Sequence, residues 1–513
     1  MKKVLLIVVD ALASRVVRPA LEEGRLPYLK NLADVGILRL ESTAVFPSLT
    51  PVATTSIITG RYPKDHRVLG FHWYDLENEE VVYYGDDFWL VWAKGFGNFL
   101  EDFLVKLNAQ RIKANTLFQM IEEKGLKSAS LNYLIFRGNV AHQADVPLPL
   151  TLIPGVPAIE KVYGPPVMYF GDLVDTEIEP IGDTLRLTGG LFRRFGFDDD
   201  NTAHLLLRLV AQRLLPDFTV AYFPDNDYHS HKVGPEAAVT TLEKFDMTLG
   251  HLFEQYGGME KFLSDVCLII TGDHSQSDTL ATAAQVGIRL DEILGDFSIA
   301  APGHPWSEGD QLVICPEMRT AQIYHRQLSE VQFNDMVRTL LADSRVDQVL
   351  WRTDEGYNIA TSERGKLCFR PKGGGPFTSL DHYGNRWSWR GDLATVTGEI
   401  SRQGILTFSD YPNAFERIEG CLSQGNGHSL WVTAQPGHEF RLAETSVHAG
   451  GGSHGSLHAL DSLSPLLVAG APSYTTIPIY PRSVDIVPLC LDILGSQVDN
   501  LSQPKTYLSL KAA

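Results

Sequence analysis

Short, continuous apolar runs recur along the chain and alternate with segments in which apolar residues have helical spacing. The apolar runs are rich in β-branched residues and cover 4–9, 128–134, 218–223, 266–271 and 466–469. The segments with helical spacing include 115–124, 202–215 and 237–256. Continuous apolar strands between helices are typical of a sheet that is covered on both faces. The pattern therefore predicts an α/β fold with a mostly parallel central sheet and helices on both faces.

Acidic and histidine residues follow three of these predicted strands directly. They are Asp10 after the first run, Asp225, Asp227, His229 and His231 after 218–223, and Asp273 and His274 after 266–271. Loops at the carboxyl ends of parallel strands are where functional residues gather. With the late His454, these residues supply enough carboxylate and imidazole ligands for two metal ions. That ligand mixture suits zinc, manganese or iron.

Thr50 is the candidate nucleophile. It precedes Pro51, and proline suits the first position of a helix. Thr50 would then lie at a helix N-terminus, where backbone N–H groups and the macrodipole favour an anion. The alternative is that Thr50 caps the helix and has no further role.

Two stretches interrupt the alternation of strands and helices. Residues 306–427 have Gly/Pro punctuation and short strand-like pieces, which predicts an inserted α+β lobe in a catalytic core of 1–305 and 428–513. Residues 76–115 and 136–200 are candidates for lid insertions. The first of them contains an aromatic patch, which could cradle an apolar group or form a packed subdomain core. The patch consists of Tyr83, Tyr84, Phe88, Trp89, Trp92 and Phe96.

Composition narrows the class of protein. The 513 residues include 44 Lys and Arg against 62 Asp and Glu, a formal net charge of −18, which argues against a general nucleic-acid binder. The five cysteines form no C-x-x-C pair, which favours a reduced, cytoplasmic protein. The apolar run at 4–9 is short and is broken by Asp10, so a strand fits better than a signal peptide. No apolar stretch approaches the roughly 20 residues of a membrane span, and we expect no membrane partner.

Five segments, in order, resemble the nucleotide pyrophosphatase/phosphodiesterase branch of the alkaline phosphatase superfamily. The nucleophile segment of that branch is similar to FPSLTPVATTSIITGRYPKDH, which begins at Phe46. The metal-binding segments are similar to VVDA at 8–11, YFPDNDYHSHKVGP at 222–235, ITGDHSQSD at 270–278 and GGSHGSL at 451–457. The resemblance spans residues 8–457 and implies an alkaline-phosphatase-like fold.

The resemblance also implies a two-metal site and a reaction. Asp10, Thr50, Asp273 and His274 would bind one ion, and Asp227, His231 and His454 the other. Asp225 and His229 have the same four-residue spacing, but only His231 leads into the Lys-Val-Gly-Pro sequence. The implied reaction is hydrolysis of a phosphodiester or pyrophosphate bond in a small phosphorylated substrate through a phosphothreonine at Thr50. Zinc is the expected metal, and manganese and iron remain open.

The sequence departs from the family at two positions. Ala53 stands where the branch usually has an asparagine that contacts the phosphate, and Ser275 replaces a glycine. Thr54, His72 or backbone donors could take the place of that asparagine, and Ala53 keeps a phosphomonoesterase of a small metabolite open. His72, Trp73 and Tyr74 could stack on a leaving group or simply pack. A non-catalytic binding member of the superfamily is a further alternative, although every ligand and the nucleophile are present.

Overall fold

The structure is a computed structural model that describes residues 2–84, 101–145, 159, 161–176, 189–422, 428–443 and 445–495. Four members of the aromatic patch, Phe88, Trp89, Trp92 and Phe96, lie outside these ranges. Tyr83 and Tyr84 are buried, and the Tyr84 ring packs edge-on against Trp73 with 5.3 Å between centroids. The described part of the patch is therefore packed core.

The central sheet has eight strands, and its middle is parallel. Its strands, in spatial order, are Ile37–Thr43, Leu463–Ala469, Val266–Thr271, Lys3–Val9, Phe218–Phe223, Ser128–Leu131, Val167–Phe170 and Val174–Asp175. The five from Val266–Thr271 to Val167–Phe170 run parallel to one another, whereas Leu463–Ala469 is antiparallel to both of its neighbours. The predicted α/β fold with a mostly parallel sheet is confirmed.

Helices cover both faces of this sheet. Along the first strand, Val4, Leu6 and Val8 pack into one apolar cluster, and Leu5, Ile7 and Val9 pack into another on the opposite face. This alternation explains the unbroken apolar run, because a strand buried on both faces has no polar side. Within the described ranges, no helix is both long enough and apolar enough to span a membrane.

The helices have defined bounds, and the three predicted ones form with shifted ends. The α-helices are Ser14–Glu22, Pro27–Val35, Thr50–Thr59, Pro63–His66, Leu117–Glu122, Asp199–Ala211, Asp225–Val233, Val239–Tyr256, Met259–Asp265, Ala283–Val286, Leu290–Ile293, Glu330–Ala342, Ala414–Leu422, Ala459–Ser462 and Ile486–Ile493. A π-helix covers Asp102–Arg111, and 3-10 turns cover Leu191–Gly196, Leu393–Val396 and Ser483–Asp485. The helix predicted at 115–124 begins at Leu117, because the Thr116 side chain accepts the Gln119 N–H as an N-cap.

A second, mostly antiparallel sheet of ten strands forms most of the inserted region. Its strands, in spatial order, are Leu312–Glu317, Thr320–His325, Ser429–Ala434, Val346–Thr353, Gly356–Ala360, Lys366–Pro371, Arg386–Gly391, Phe377–Asp381, Ile405–Phe408 and Gly398–Ile400. Ser429–Ala434 lies between two strands of this sheet, so the sheet extends past the lobe end predicted at residue 427. Local composition does not indicate which sheet a strand joins.

Four two-stranded ladders connect the loops around the sheets. They are His72–Asp75 with Glu80–Tyr83, Val140–Gln143 with Lys161–Gly164, Ser277–Asp278 with Gly452–Ser453, and Gly287–Arg289 with Glu439–Arg441. The third ladder joins the segment after the Val266–Thr271 strand to the segment that contains His454. Two loops that are far apart in sequence are thereby held side by side.

A buried ion pair also links the second sheet to these loops. The Arg319 guanidinium donates to Asp461, and both side chains are fully buried. Asp461 also accepts the Ser277 hydroxyl at 3.0 Å and the Ser456 N–H at 2.9 Å, and its carbonyl accepts the Ser275 N–H. Asp461 therefore holds the segments that follow His274 and His454 together.

We expect Asp461→Ala to destabilise the fold by about 3–5 kcal/mol, because it leaves the Arg319 charge buried without its partner. Chemical denaturation measures this change. The matched control is Asp335→Ala, which removes an acid from the exposed pair with Arg338 and should change stability by less than about 1 kcal/mol. Equal effects of the two substitutions would show that the buried pair has no special role.

Candidate active site

The candidate ligands meet because they follow adjacent parallel strands. Asp10 follows the strand Lys3–Val9, and Asp273 and His274 follow the neighbouring strand Val266–Thr271. On the other side, Phe218–Phe223 leads into the helix Asp225–Val233, which carries Asp227 and His231. The carboxyl ends of these strands lie at one edge of the sheet, so their loops converge there.

Asp10, Asp273, His274 and Thr50 form the first group. His274 Nε2 lies 3.4 Å from Asp10 Oδ1 and 3.6 Å from Asp273 Oδ2. The same nitrogen lies 3.1 Å from Thr50 Oγ1. Asp10, Asp273 and His274 are buried, and one donor atom from each falls within 4.8 Å of the others. The four residues that the sequence assigned to one metal ion are therefore in one place.

Asp227, His231 and His454 form the second group. His231 Nε2 lies 3.3 Å from Asp227 Oδ2, and His454 Nε2 lies 3.7 Å from Asp227 Oδ1. The His454 ring stacks on His274 with 3.8 Å between centroids. Asp227, His454 and His274 also have donor atoms within 4.8 Å of one another. The two groups are thus contiguous, and His274 lies at their junction.

Three buried atoms of these groups have no hydrogen-bond partner within the described ranges. They are Asp10 Oδ1, Asp273 Oδ2 and His454 Nε2. A buried polar atom without a partner is costly, and most such atoms in folded proteins are satisfied. All three are ligand atoms of a kind that divalent cations accept. The residues present therefore fit bound metal ions.

The charges of the site lead to the same conclusion. Burial raises the pKa of Asp10 well above its usual range, and the nearby charges of Asp273 and Asp227 raise it further. Burial also raises the pKa of Asp273. Burial opposes ionisation of Asp227, but the adjacent His231 and the hydrogen bond between them hold the pKa of this carboxyl well below its usual range. Two buried carboxyl groups beside a third, half-buried one need positive charge, which metal ions supply.

Backbone carbonyl groups set the tautomer of each histidine. The Nδ1 atoms of His231 and His454 lie 2.8 Å from the carbonyl oxygens of Gly452 and Ser48, and that of His274 lies 3.1 Å from its acceptor, Ser275. A carbonyl oxygen only accepts, so each Nδ1 carries a proton, and in the neutral ring Nε2 is then the atom available as a ligand. In His274 this Nε2 accepts a hydrogen bond from the Thr50 hydroxyl.

Two further residues orient the carboxylates, and the sequence did not indicate either. The Tyr222 hydroxyl donates to Asp10 Oδ2, which leaves Oδ1 as the ligand atom. The Gln276 amide donates to Asp227 Oδ1. Neither residue has a spacing that points to a role, and each is recognisable only from its contact in the folded chain.

Thr50 begins the helix Thr50–Thr59, with Leu49 in the N-cap position and Pro51 in the second helical position. Its hydroxyl therefore does not cap the helix, contrary to the alternative considered from the sequence. Pro51 has no N–H, and the N–H groups of Val52 and Ala53 both donate to the Leu49 carbonyl, so these three positions offer no free backbone donor. The N–H of Thr50 and the helix dipole are what this helix end can offer to an anion.

Asp225 and His229, the alternative pair with the same spacing, make other contacts. Asp225 accepts from the Arg194 guanidinium and, at 3.2 Å, from the Asp199 N–H. His229 Nδ1 hydrogen-bonds Thr241 Oγ1 at 2.9 Å. Of the two pairs, only Asp227 and His231 contribute to the second group.

Ala53, Trp73 and Tyr74 lie in packed apolar surroundings. Ala53 belongs to a buried apolar cluster with Leu49 and Val52, so an asparagine side chain there would enter that cluster. The absence of asparagine at this position therefore does not decide between diester and monoester substrates. Trp73 and Tyr74 belong to the main apolar core, which favours packing over stacking on a leaving group.

The ends of the parallel strands bring these carboxylates and imidazoles together around a threonine. This fold and this site define a hydrolase of the alkaline phosphatase superfamily. The chain belongs to the type I phosphodiesterase/nucleotide pyrophosphatase family, whose family model matches residues 4–364. Members of this family are phosphoric ester hydrolases that typically use two divalent metal ions. The match ends before His454, so the place of this residue in the site depends on the geometry.

Solved structures share the fold over nearly the whole chain. An inactive variant of murine ectonucleotide pyrophosphatase/phosphodiesterase 5 in complex with AMP is 13% identical, with a TM-score of 0.55 and coverage of 97% of this chain and 96% of that chain. Phosphonoacetate hydrolase from Sinorhizobium meliloti in complex with phosphonoacetate is 16% identical, with a TM-score of 0.57 and coverage of 96% of both chains. At these identities the likeness shows the fold.

Proposed function

We propose that the protein is a metal-dependent hydrolase that cleaves phosphodiester or pyrophosphate bonds through a covalent phosphothreonine at Thr50. The observation that carries this proposal is the position of the Thr50 hydroxyl, 3.1 Å from His274 Nε2 and beside the buried donor atoms of Asp10 and Asp273. A threonine hydroxyl is a weak nucleophile until a neighbouring group activates it. This hydroxyl lies where such activation is available.

Seven residues would hold two metal ions. Asp10, Thr50, Asp273 and His274 would bind one ion, and Asp227, His231 and His454 would bind the other. We propose zinc, with manganese or iron compatible with the same donors. When bound, two divalent ions lower the pKa of the threonine hydroxyl and offset the charge on the phosphoryl oxygens.

The chain supplies the nucleophile and holds it in place. Thr50 Oγ1 forms a bond to phosphorus as the bond to the leaving-group oxygen breaks, and the hydroxyl proton passes to the leaving group or to solvent. Water then attacks the phosphothreonine, the bond between Thr50 Oγ1 and phosphorus breaks, and a proton from water restores the hydroxyl. Thr50 is 8% exposed, so bulk water has little access to the reacting group.

We also propose a small phosphorylated substrate and a cytoplasmic location. The related structures hold AMP in one case and phosphonoacetate in the other, both small phosphorus-containing ligands. All five cysteines are free thiols, as expected in a reducing compartment.

A paired assay on the metal-loaded protein tests the substrate class. We expect kcat/KM for the p-nitrophenyl ester of thymidine monophosphate to exceed that for p-nitrophenyl phosphate by about tenfold or more, or ~1.4 kcal/mol of transition-state stabilisation. Preference for the monoester would instead favour the phosphomonoesterase alternative. Turnover of neither ester by protein that holds two metal ions would contradict the proposed substrate class.

A further inference from the structure

Four imidazole rings form a row from the interior of the site to its surface. Ring centroids are 3.8 Å apart between His274 and His454, 5.2 Å between His454 and His231, and 4.2 Å between His231 and His448. Side-chain exposure rises along the row from 0% at His274, through 1% and 14%, to 35% at His448. His448 therefore lies at the open end of the second group of ligands.

Glu439 fixes the orientation of His448 through two hydrogen bonds. Glu439 Oε2 accepts the backbone N–H of His448 at 2.8 Å, and Oε1 lies 2.9 Å from the ring Nδ1. The Glu439 side chain is 1% exposed, and the adjacent Phe440 is anchored by its N–H to the Met318 carbonyl. A carboxylate only accepts, so Nδ1 carries the proton and Nε2 keeps a lone pair.

The Nε2 atom of His448 is available to a molecule in the site. It makes no hydrogen bond to any residue in the described part of the chain, and more than a third of the side chain is in contact with solvent. The ring packs against His231, whose own Nε2 faces Asp227. The buried Glu439 carboxylate thus holds the His448 imidazole beside the second group. The Nε2 atom of that imidazole is left as an open hydrogen-bond acceptor.

We propose that His448 Nε2 accepts a hydrogen bond from the water that attacks the phosphothreonine, and that Glu439 holds the imidazole for this purpose. This inference rests on the proposed function. In the step concerned, the water oxygen forms a bond to phosphorus and the bond to Thr50 Oγ1 breaks. One water proton restores the threonine hydroxyl, the water oxygen stays on phosphorus, and the phosphoryl product leaves, which is a phosphate monoester when the substrate is a diester. His448 is a catalytic residue of this second half-reaction, and Glu439 is its positioning residue.

The location of His448 explains why the second half-reaction is the one affected. His448 contacts His231 and lies beyond it, whereas Thr50 contacts His274 at the other end of the row. In an in-line displacement, the attacking and leaving oxygens are on opposite sides of phosphorus. Thr50 therefore occupies one side, and water that attacks the phosphothreonine enters from the side of His231 and His448.

The test is His448→Phe in the metal-loaded protein, because phenylalanine keeps the ring contact with His231 and removes the acceptor atom. We expect two bound metal ions, a first turnover as fast as in the wild type, and a steady-state rate lower by roughly 10²-fold. Stopped-flow release of p-nitrophenol should then show a burst of one equivalent. The mass of acid-quenched protein should show that the covalent intermediate accumulates, in which Thr50 carries the phosphoryl group together with the ester group that the substrate retains.

Two more variants sharpen the result. His448→Gln keeps an amide oxygen that accepts a hydrogen bond, so its rate should fall less than that of His448→Phe. His438→Phe changes a nearby histidine that hydrogen-bonds the Gln285 carbonyl, and it should leave both half-reactions unchanged.

Two outcomes would overturn the inference. Wild-type turnover in His448→Phe, without accumulated phosphothreonine, would show that Nε2 is not used. Loss of metal and equal slowing of both half-reactions in the Phe and Gln variants would make His448 a mere support for His231. Failure of the proposed function is distinguishable from both, because the wild-type protein would then turn over neither ester, or Thr50→Ala would keep its turnover whatever stands at position 448.

Discussion

Replacing Thr50 with alanine should lower turnover by roughly 10⁴-fold or more while metal content stays close to that of the wild type. The size of the loss is that of removing an activated nucleophile. Metal should stay because Asp10, Asp273 and His274 still offer three ligands to the first ion. Steady-state kinetics together with metal analysis of the same protein sample measures both quantities.

The matched control is Thr59→Ala, the same substitution near the other end of the same helix. The Thr59 hydroxyl donates to the Thr55 carbonyl at 2.7 Å and has no contact with the two groups of ligands. We expect its activity to stay within a few-fold of the wild type. The substitution removes one hydrogen bond, which contributes about 1 kcal/mol to the free energy of unfolding. Substantial turnover by Thr50→Ala would remove Thr50 from the role of nucleophile.

His231→Ala and His454→Ala should each reduce bound metal from two ions toward one and lower activity by more than 10²-fold. Each substitution removes a proposed direct ligand of the second group, whereas loss of an outer contact alone usually costs about 10–100-fold. The remaining ligands, Asp227 and one histidine, are too few for a stable site with three protein ligands. Metal analysis after dialysis, paired with kinetics, measures the loss.

His229→Ala is the control for these two variants. His229 lies two residues before His231 on the same helix, but its ring hydrogen-bonds Thr241 instead of facing Asp227. We expect full metal content and activity within a few-fold of the wild type. If metal were lost from His229→Ala and kept in His231→Ala, Asp225 and His229 would be the ligand pair.

Local sequence patterns were sufficient to predict the strands of the central sheet, because these strands are buried on both faces. The run that contains Val4 and Leu5 needs no partner to be recognised, since each residue packs on one face or the other. The strand pairing of the second sheet was harder to predict from the sequence. The pairing of Ser429–Ala434 with Thr320–His325 is a long-range contact, and no local signal determines which sheet a strand joins.

The candidate ligands could be predicted, but the residues that support them could not. Asp10, Asp227 and Asp273 stand in recognisable segments at strand ends. Tyr222 and Gln276 act on Asp10 and Asp227 through single side-chain contacts across the fold, which leave no mark on sequence spacing. The sequence also did not indicate that Ala53 packs in an apolar cluster, and the effect of this residue on substrate preference stays a prediction.

The ladder that joins Ser277–Asp278 to Gly452–Ser453 has a consequence for biosynthesis. The Ser277 hydroxyl donates to the Ser453 carbonyl across 176 positions of sequence and to Asp461 across 184. During translation, Asp10, Asp273 and His274 leave the ribosome long before the segment that carries His454. A nascent or truncated chain can therefore complete only one of its two metal-binding groups, and we expect catalytic competence to arise only when almost the entire polypeptide has been made.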